Sequence, residues 1–326
     1  MKALLIAGGL GTRLRPLTYT RPKHLLPIAN RAHIEHVIDL LVAHDISEVV
    51  LLTSYLAESF AAVIERAEGR GVNVEVAHEA EPLGTAGAIK NAADLIGDGT
   101  FFAFNGDVLS SVDLTSVLEI HKASGGRGTI VLTPVEDPSA YGVVPTDQDG
   151  RVERFVEKPP PGTEETNLIN AGIYVLEPEI LEAIPAGQVV SIEREVFPEL
   201  AAAGSLFGVA TDAYWMDIGT PEKYLQANLD ALHGAFATEA VAAPGERAVV
   251  VAETAQVDPT ARLSSACIGA ACIIEEGAVI EDSVLLEGVT VRRGAHVHRS
   301  TLGAGACVES DTSVDGRAVG DAETIR

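Results

Sequence analysis

From Val251 onward the chain repeats itself every six residues, and this period limits what it can fold into more than any other feature. Val251, Val257 and Leu263 are six apart; so are Cys267, Ile273, Val279, Leu285, Val291 and Val297; so are Leu302, Val308 and Val314. Two register slips separate the three sets, as turn insertions would, and Gly269, Gly277, Gly288 and Gly294 fall between them. A hexad of this kind is the signature of a β-helix, in which three short strands make one coil and each coil buries its apolar positions on the next. About four coils fit the length. Stacked coils tend to associate, so a homo-oligomer formed through this region is expected. Cys267 lies in the series, Cys272 just before it and Cys307 beside Val308, which makes all three small core residues rather than metal ligands or redox groups. Such cysteine usage suits a reduced, cytoplasmic compartment.

The first half reads differently. Short β-rich runs at Lys2 to Ala7, Glu48 to Thr53, Val72 to His78, Thr100 to Phe104 and Thr129 to Pro134 alternate with helical spacing at Ile34 to His44, Leu56 to Ala67, Thr85 to Ala93 and Leu114 to Ala123. That alternation predicts an α/β fold with a Rossmann-like, mainly parallel sheet covered on both faces. Ligands bind such sheets at the carboxyl ends of the strands. A proline-rich stretch from Tyr141 to Trp215 adds strands and loops, and Gly219 to Leu232 reads as a helix entered through Pro221. The expected domains are 1–232, a linker over 233–248, and the β-helix over 249–326.

Charge points to an anionic ligand at one place. The formal net charge is −24, which argues against a nucleic-acid binder. Yet Met1 to Ile34 contains no Asp or Glu and holds Lys2, Arg13, Arg15, Arg21, Lys23 and Arg31, six of the 23 basic residues. No apolar run is long enough to span a membrane, and no signal or transit peptide is read at the start. Within the basic segment, "AGGLGTRLRPLTYTRPKHLLP" follows the first strand. Glycines after a strand let backbone N–H groups close on phosphate. The stretch is not a P-loop, which needs GxxxxGK[ST], and Leu14 takes the place of the third glycine of a dinucleotide fingerprint. Two guanidinium groups and an ammonium on a loop pinned by prolines can neutralise a triphosphate.

"GGLGTRLRPLT...RPKHLLPIAN" resembles the signature of the sugar-1-phosphate nucleotidylyltransferases. The similarity continues through "EAEPLGTAGAI", "FNGDVL", "YGVV", "FVEKP", "INAGIYV", "SIEREVFP" and "YWMDIGTPEKYL", in the family's order over nearly all of residues 1–232. The last three motifs look most like those of the mannose-1-phosphate guanylyltransferases. The resemblance implies a nucleotide-diphospho-sugar transferase fold followed by a small left-handed parallel β-helix. It also implies Mg²⁺-dependent attack by a sugar 1-phosphate, mannose 1-phosphate favoured, on the α-phosphorus of a nucleoside triphosphate, GTP favoured, with pyrophosphate released.

The same likeness assigns residues. Arg13, Lys23, Asp107 and Asp217 are the implied catalytic groups, with Asp107 and Asp217 as metal ligands. One or two carboxylates suit Mg²⁺, which fills its other positions with phosphate and water. Gly8, Gly9, Gly11, Thr12, Glu79, Gly84 and Thr85 are the implied nucleotide contacts, and Arg15 is a further candidate for phosphate. Gly142, Glu157, Lys158, Asn170 and Gly172 are the implied sugar-phosphate contacts. A carboxylate at Glu79 suits the N1–H and N2–H₂ donors of guanine better than thymine, although backbone of Gly84 and Gly87 could read the base instead. Three alternatives stay open: a glucose-1-phosphate thymidylyltransferase or other sugar-nucleotide pyrophosphorylase; a non-catalytic sugar-nucleotide sensor; and an acyltransferase using His296 or His298.

Overall fold

Ala-Leu-Leu-Ile, residues 3–6, is an uninterrupted apolar run of the kind that suits a strand covered on both faces, and Lys2–Ile6 takes an interior place in the main sheet. The structure, a computed structural model, describes residues 1–326. They form two compact units, one of residues 1–9 and 37–215, the other of residues 10–36 and 216–326.

In the first unit, Lys2–Ile6 runs parallel to Glu48–Thr53 on one side and to Phe101–Asn105 on the other, and Asn73–His78 extends the parallel set. Beyond Phe101–Asn105 the direction reverses. Leu168–Leu176 is antiparallel to it and to Gly128–Pro134, which Leu206–Ala210 joins in parallel. The short strands Gly142–Val143 and Val156–Glu157 complete that edge. The core is continuous from Leu4, Val50 and Leu52 through Phe101 and Ala103 to Ile130, Tyr174 and Phe197. Two predicted helices are interrupted. The 56–67 helix opens as a 3₁₀ turn, Ala57–Phe60, because Leu56 is left-handed at φ 48°, and the α-helix is Ala61–Glu68. The 85–93 helix is Gly84–Asn91, broken from Ala93–Ile96 where Ala92 sits at φ −95°, ψ 10°.

In the second unit the basic loop carries 3₁₀ turns at Thr12–Leu14 and Lys23–Leu25, then a hairpin pairing Pro27 with Ala32 and Ile28 with Arg31. Its two-residue turn needs positive φ at both positions, met here by Ala29 (49°) and Asn30 (64°). Asn228 Oδ1 accepts from Ala29 N at 2.9 Å and so stabilises a turn that lacks glycine. Asn228 lies on Pro221–His233, a helix with Thr220 as N-cap, Pro221 at its start and Gly234 at φ 82° as its stop.

The repeat region is a parallel β-helix. Gln256, Ile273, Thr290, Cys307 and Thr324 stack directly on one another. So do Arg262, Val279, His296 and Ser313. Equivalent residues on adjacent coils are 17 apart, one fewer than three hexads. The buried series is therefore Ile268, Ile274, Ile280, Leu285, Val291, Val297, Leu302, Val308, Val314, Val319 and Ile325, stepping six, six, five. This corrects the register expected for Cys267, Ile273 and Val279. The slips are one-residue shortenings rather than insertions, so the inward positions there are the neighbouring isoleucines, and Ile273 is 42 % exposed. Cys272 is in the coil core and Cys307 is half-buried. Cys267 is buried outside that core, and burial pushes its thiol up to about 12.

Candidate active site

Each unit presents part of the residue set that the motifs singled out. In the first unit the carboxyl ends of the parallel strands carry Gly8 and Gly9 after Lys2–Ile6, Ser54 after Glu48–Thr53, Glu79 after Asn73–His78 and Asp107 after Phe101–Asn105. Ser54 Oγ donates to Gly8 O at 2.6 Å and fixes the start of the glycine loop. Glu79 is buried. Its Oε2 accepts from Leu83 N at 2.9 Å, while Oε1 lies 3.1 Å from where a Cβ on Gly8 would be. Burial pushes the Glu79 carboxyl up, and the Leu83 hydrogen bond offsets part of that rise. Glu79 thus holds the segment that leads into Gly84 and Thr85. Thr85 Oγ1 donates to Glu193 Oε2 at 2.8 Å, and Ser191 Oγ donates to the same oxygen at 2.7 Å.

A second cluster forms around Tyr174. The pairing of Leu168–Leu176 with Gly128–Pro134 shifts register between Asn170 and Tyr174, a bulge that re-aims side chains. Gly172, at φ 72°, accommodates the bulge, and its N–H donates to Asn170 Oδ1 at 2.8 Å. Asn170 Nδ2 donates to the buried Tyr174 hydroxyl at 2.9 Å, and Asn105 Nδ2 approaches it at 3.4 Å. Asn105 Oδ1 is buried with no hydrogen-bond partner, an acceptor suited to a ligand hydroxyl. Nearby, Gly142 pairs with Glu157, and Lys158 N donates to Tyr141 O at 3.0 Å. Lys158 is left-handed at φ 51°, and its Nζ lies 4.0 Å from Glu157 Oε1. Burial and then the charge of Glu193 push the Glu157 carboxyl up, with Lys158 and Arg194 opposing. Asn105 lies in "FNGDVL" and Glu193 in "SIEREVFP"; no local spacing marks either as a site residue, since only the fold brings them to Tyr174.

The second unit carries the basic loop with Arg13, Arg15 and Lys23. Gly11, at φ 62°, folds the loop so tightly that an added Cβ would lie 3.2 Å from Lys23 Cβ and 3.2 Å from Thr18 Cγ2. Thr18 Oγ1 locks this turn by donating to Gly11 O at 2.8 Å. Thr12 and Arg13 form the following 3₁₀ turn, and Arg15 stacks its guanidinium over Tyr19 at 5.1 Å. Asp217 Oδ1 accepts from Gly219 N at 2.8 Å and Oδ2 from Lys223 Nζ at 2.5 Å. A Cβ on Gly219 would lie 2.5 Å from Asp217 Oδ1 and 2.9 Å from Arg13 Nη2, so Arg13, Lys223 and Asp217 converge there. The carboxylate donors Asp107 and Asp217 have the hard-oxygen chemistry that a divalent ion prefers, and Asp217 Oδ2 already faces a cation.

Residues 2–234 match the family model described as nucleotidyl transferase. The chain belongs to that family. Enzymes of this kind generally use a divalent metal. Residues 246–325 match a second model, the GMPPB C-terminal domain. Mannose-1-phosphate guanylyltransferase 1 of Arabidopsis thaliana is 39% identical over 319 residues, covering 95% of this chain and 85% of that protein. Mannose-1-phosphate guanylyltransferase of Mycobacterium tuberculosis is 38% identical over 303 residues, covering 91% and 83%. Among solved structures, HddC from Yersinia pseudotuberculosis complexed with GMP-PN superposes with TM-score 0.61 at 31% identity, covering 70% of this chain and 97% of that one. As a nucleotidyl transferase the chain is an enzyme, and no helix is long and apolar enough to cross a membrane. On the β-helix, His298 Nδ1 lies 2.8 Å from Asp315 and Nε2 3.7 Å from Asp282, so this imidazole is engaged by its neighbouring coils.

Proposed function

We propose that this nucleotidyl transferase joins GTP to mannose 1-phosphate and releases pyrophosphate, with Mg²⁺ as its divalent ion. The observation that carries the reading is the double family match together with relatives named for this reaction along more than nine-tenths of the chain. A phosphate oxygen of the sugar attacks the α-phosphorus in line, and the bond to the pyrophosphate oxygen breaks. No covalent enzyme intermediate is needed; positioning and charge neutralisation supply the catalysis. Arg13 and Lys23 neutralise the phosphates, with Arg15 in support. Asp107 and Asp217 hold the ion, which when bound offsets phosphate charge.

Gly8, Gly9, Gly11, Thr12, Gly84 and Thr85 wrap the nucleotide. The Glu79 oxygen not held by Leu83 accepts from the N1–H and N2–H₂ of guanine. Lys158 binds the sugar phosphate, and Glu157, Asn170 and Asn105 take the sugar hydroxyls, with Gly142 and Gly172 as further contacts to the sugar. Catalysis is assigned to residues 1–232, with 233–248 as linker and the β-helix of 249–326 as the surface for self-association. The test is a matrix of GTP, dTTP, UTP, ATP and CTP against mannose, glucose, fucose, galactose and N-acetylglucosamine 1-phosphates, scored by pyrophosphate release with Mg²⁺. The highest kcat/KM is expected for GTP with mannose 1-phosphate. A maximum at dTTP with glucose 1-phosphate would replace the substrate assignment, and no release from any pair would favour a sensor.

A further inference from the structure

The β-helix meets the basic loop along one edge. Ala270, Glu287, Ala304 and Asp321 occupy the same corner of successive coils, since Gly288 N bonds Ala270 O, Gly305 N bonds Glu287 O and Ala322 N bonds Ala304 O. Two of these four are acidic, and the strand spacing puts them about 10 Å apart. They take consecutive residues of the loop: Thr20 Oγ1 donates to Asp321 Oδ2, and Arg21 reaches Glu287 with both terminal nitrogens, Nη1 to Oε2 at 3.2 Å and Nη2 to Oε1. Asp321 is itself fixed, because its Oδ1 accepts from Ala304 N at 2.8 Å. On either side, Pro16 packs at Gly320, where a Cβ would lie 3.3 Å from Pro16 Cβ, and Asn30 Nδ2 donates to Ile268 O at 2.7 Å.

The loop needs such a partner. It carries Arg13, Arg15, Arg21 and Lys23 with no acidic residue of its own, so its charges repel one another. Arg21 has 19% of its side chain exposed, which makes an external counter-ion the condition for packing it. Lys23 is two residues further on, against Gly11. We propose that Glu287 and Asp321 are positioning residues that clamp the loop, making the β-helix a working part of nucleotidyl transfer rather than an appendage. The clamp sets where Lys23 and Arg13 stand when the phosphates react, and so rests on the roles proposed for those two residues. A misplacement of about 1 Å can cost on the order of a hundredfold in rate.

The test uses the full chain with Glu287→Gln, Asp321→Asn and their combination, in steady-state pyrophosphate release and in hydrogen exchange. Each single variant is expected to lose roughly tenfold in kcat with KM for both substrates changed less than about twofold. Exchange in residues 10–27 should rise while Lys2–Ile6 and Glu48–Thr53 stay protected. The charge exchange Arg21→Glu with Glu287→Arg should restore most of the kcat that Glu287→Gln loses, which a general loss of folding would not allow. Unchanged kcat in a folded double variant, or a loss that follows global unfolding and is not recovered by the exchange, overturns the clamp. If the parent turns over no substrate pair, the functional reading fails instead, and exchange in residues 10–27 alone decides: a rise supports the clamp, no change removes it.

Discussion

Asp217 is held from two sides before any ligand arrives, by Gly219 N on one oxygen and Lys223 on the other. Asp217→Asn keeps the shape and removes the charge. It is expected to lower turnover by about a hundredfold or more with little change in thermal midpoint, and Lys23→Ala should do the same. Near-normal kcat in folded Asp217→Asn protein would remove its assignment. Glu157 gives a second residue-level prediction. Burial raises its carboxyl first and the charge of Glu193 raises it further, so Glu193→Gln should lower it. The acid limb of kcat/KM for the sugar phosphate then moves to lower pH; a limb that stays in place, or rises, disconnects Glu157 from that limb. Glu157 and Lys158 were legible as residues because they sit in one short motif. Glu193 was not, because its effect on Glu157 comes from strands and turns far apart in sequence.

At the level of elements, local pattern recovered what depends on local pattern. The apolar run at residues 3–6 and the alternation after it were enough for the parallel sheet, whereas the bulge at Asn170 and Tyr174 has no signal beyond Gly172 itself. The hexads revealed the β-helix but hid its 17-residue coil, since a five-residue step looks like a slip until the strands are stacked. "GTAG" is another mixed case. It reads as a nucleotide contact, yet a Cβ on Gly87 would lie 2.5 Å from Gln188 O, and Ala86 N and Gly87 N both bond Val190 O at 3.0 and 3.2 Å. Its small residues let the Gly84–Asn91 helix start against the 188–190 segment. Gly87→Ala is therefore expected to destabilise the fold by about 1–3 kcal/mol in denaturant unfolding, the usual cost of overpacking. A variant as stable as the parent would show that the 188–190 segment yields.

For the whole molecule, the basic loop near the start of the chain groups with its far end: residues 10–36 and 216–326 form one compact unit. The loop that carries Arg13 and Lys23 therefore shares its stability with the β-helix, and Arg21 with Glu287 is where that sharing becomes pH-dependent. Burial alone would raise the Glu287 carboxyl, but the hydrogen bond and charge of Arg21 more than reverse this and hold it below its ordinary value. A carboxylate depressed in the folded state stabilises the fold above its unfolded pKa, about 4.3 for Glu, and that contribution is lost as pH falls through the folded value. Glu287→Gln abolishes the titration. The parent should exceed the variant in thermal midpoint at neutral pH, and the two curves should converge on acidification below about pH 4.3. Half the Glu287 side chain is exposed, so the gap should also shrink in high salt. Paired melts of parent and variant across pH, each at low and high salt, measure this; a gap that persists unchanged into acid would show that the pair stabilises by packing and not by charge.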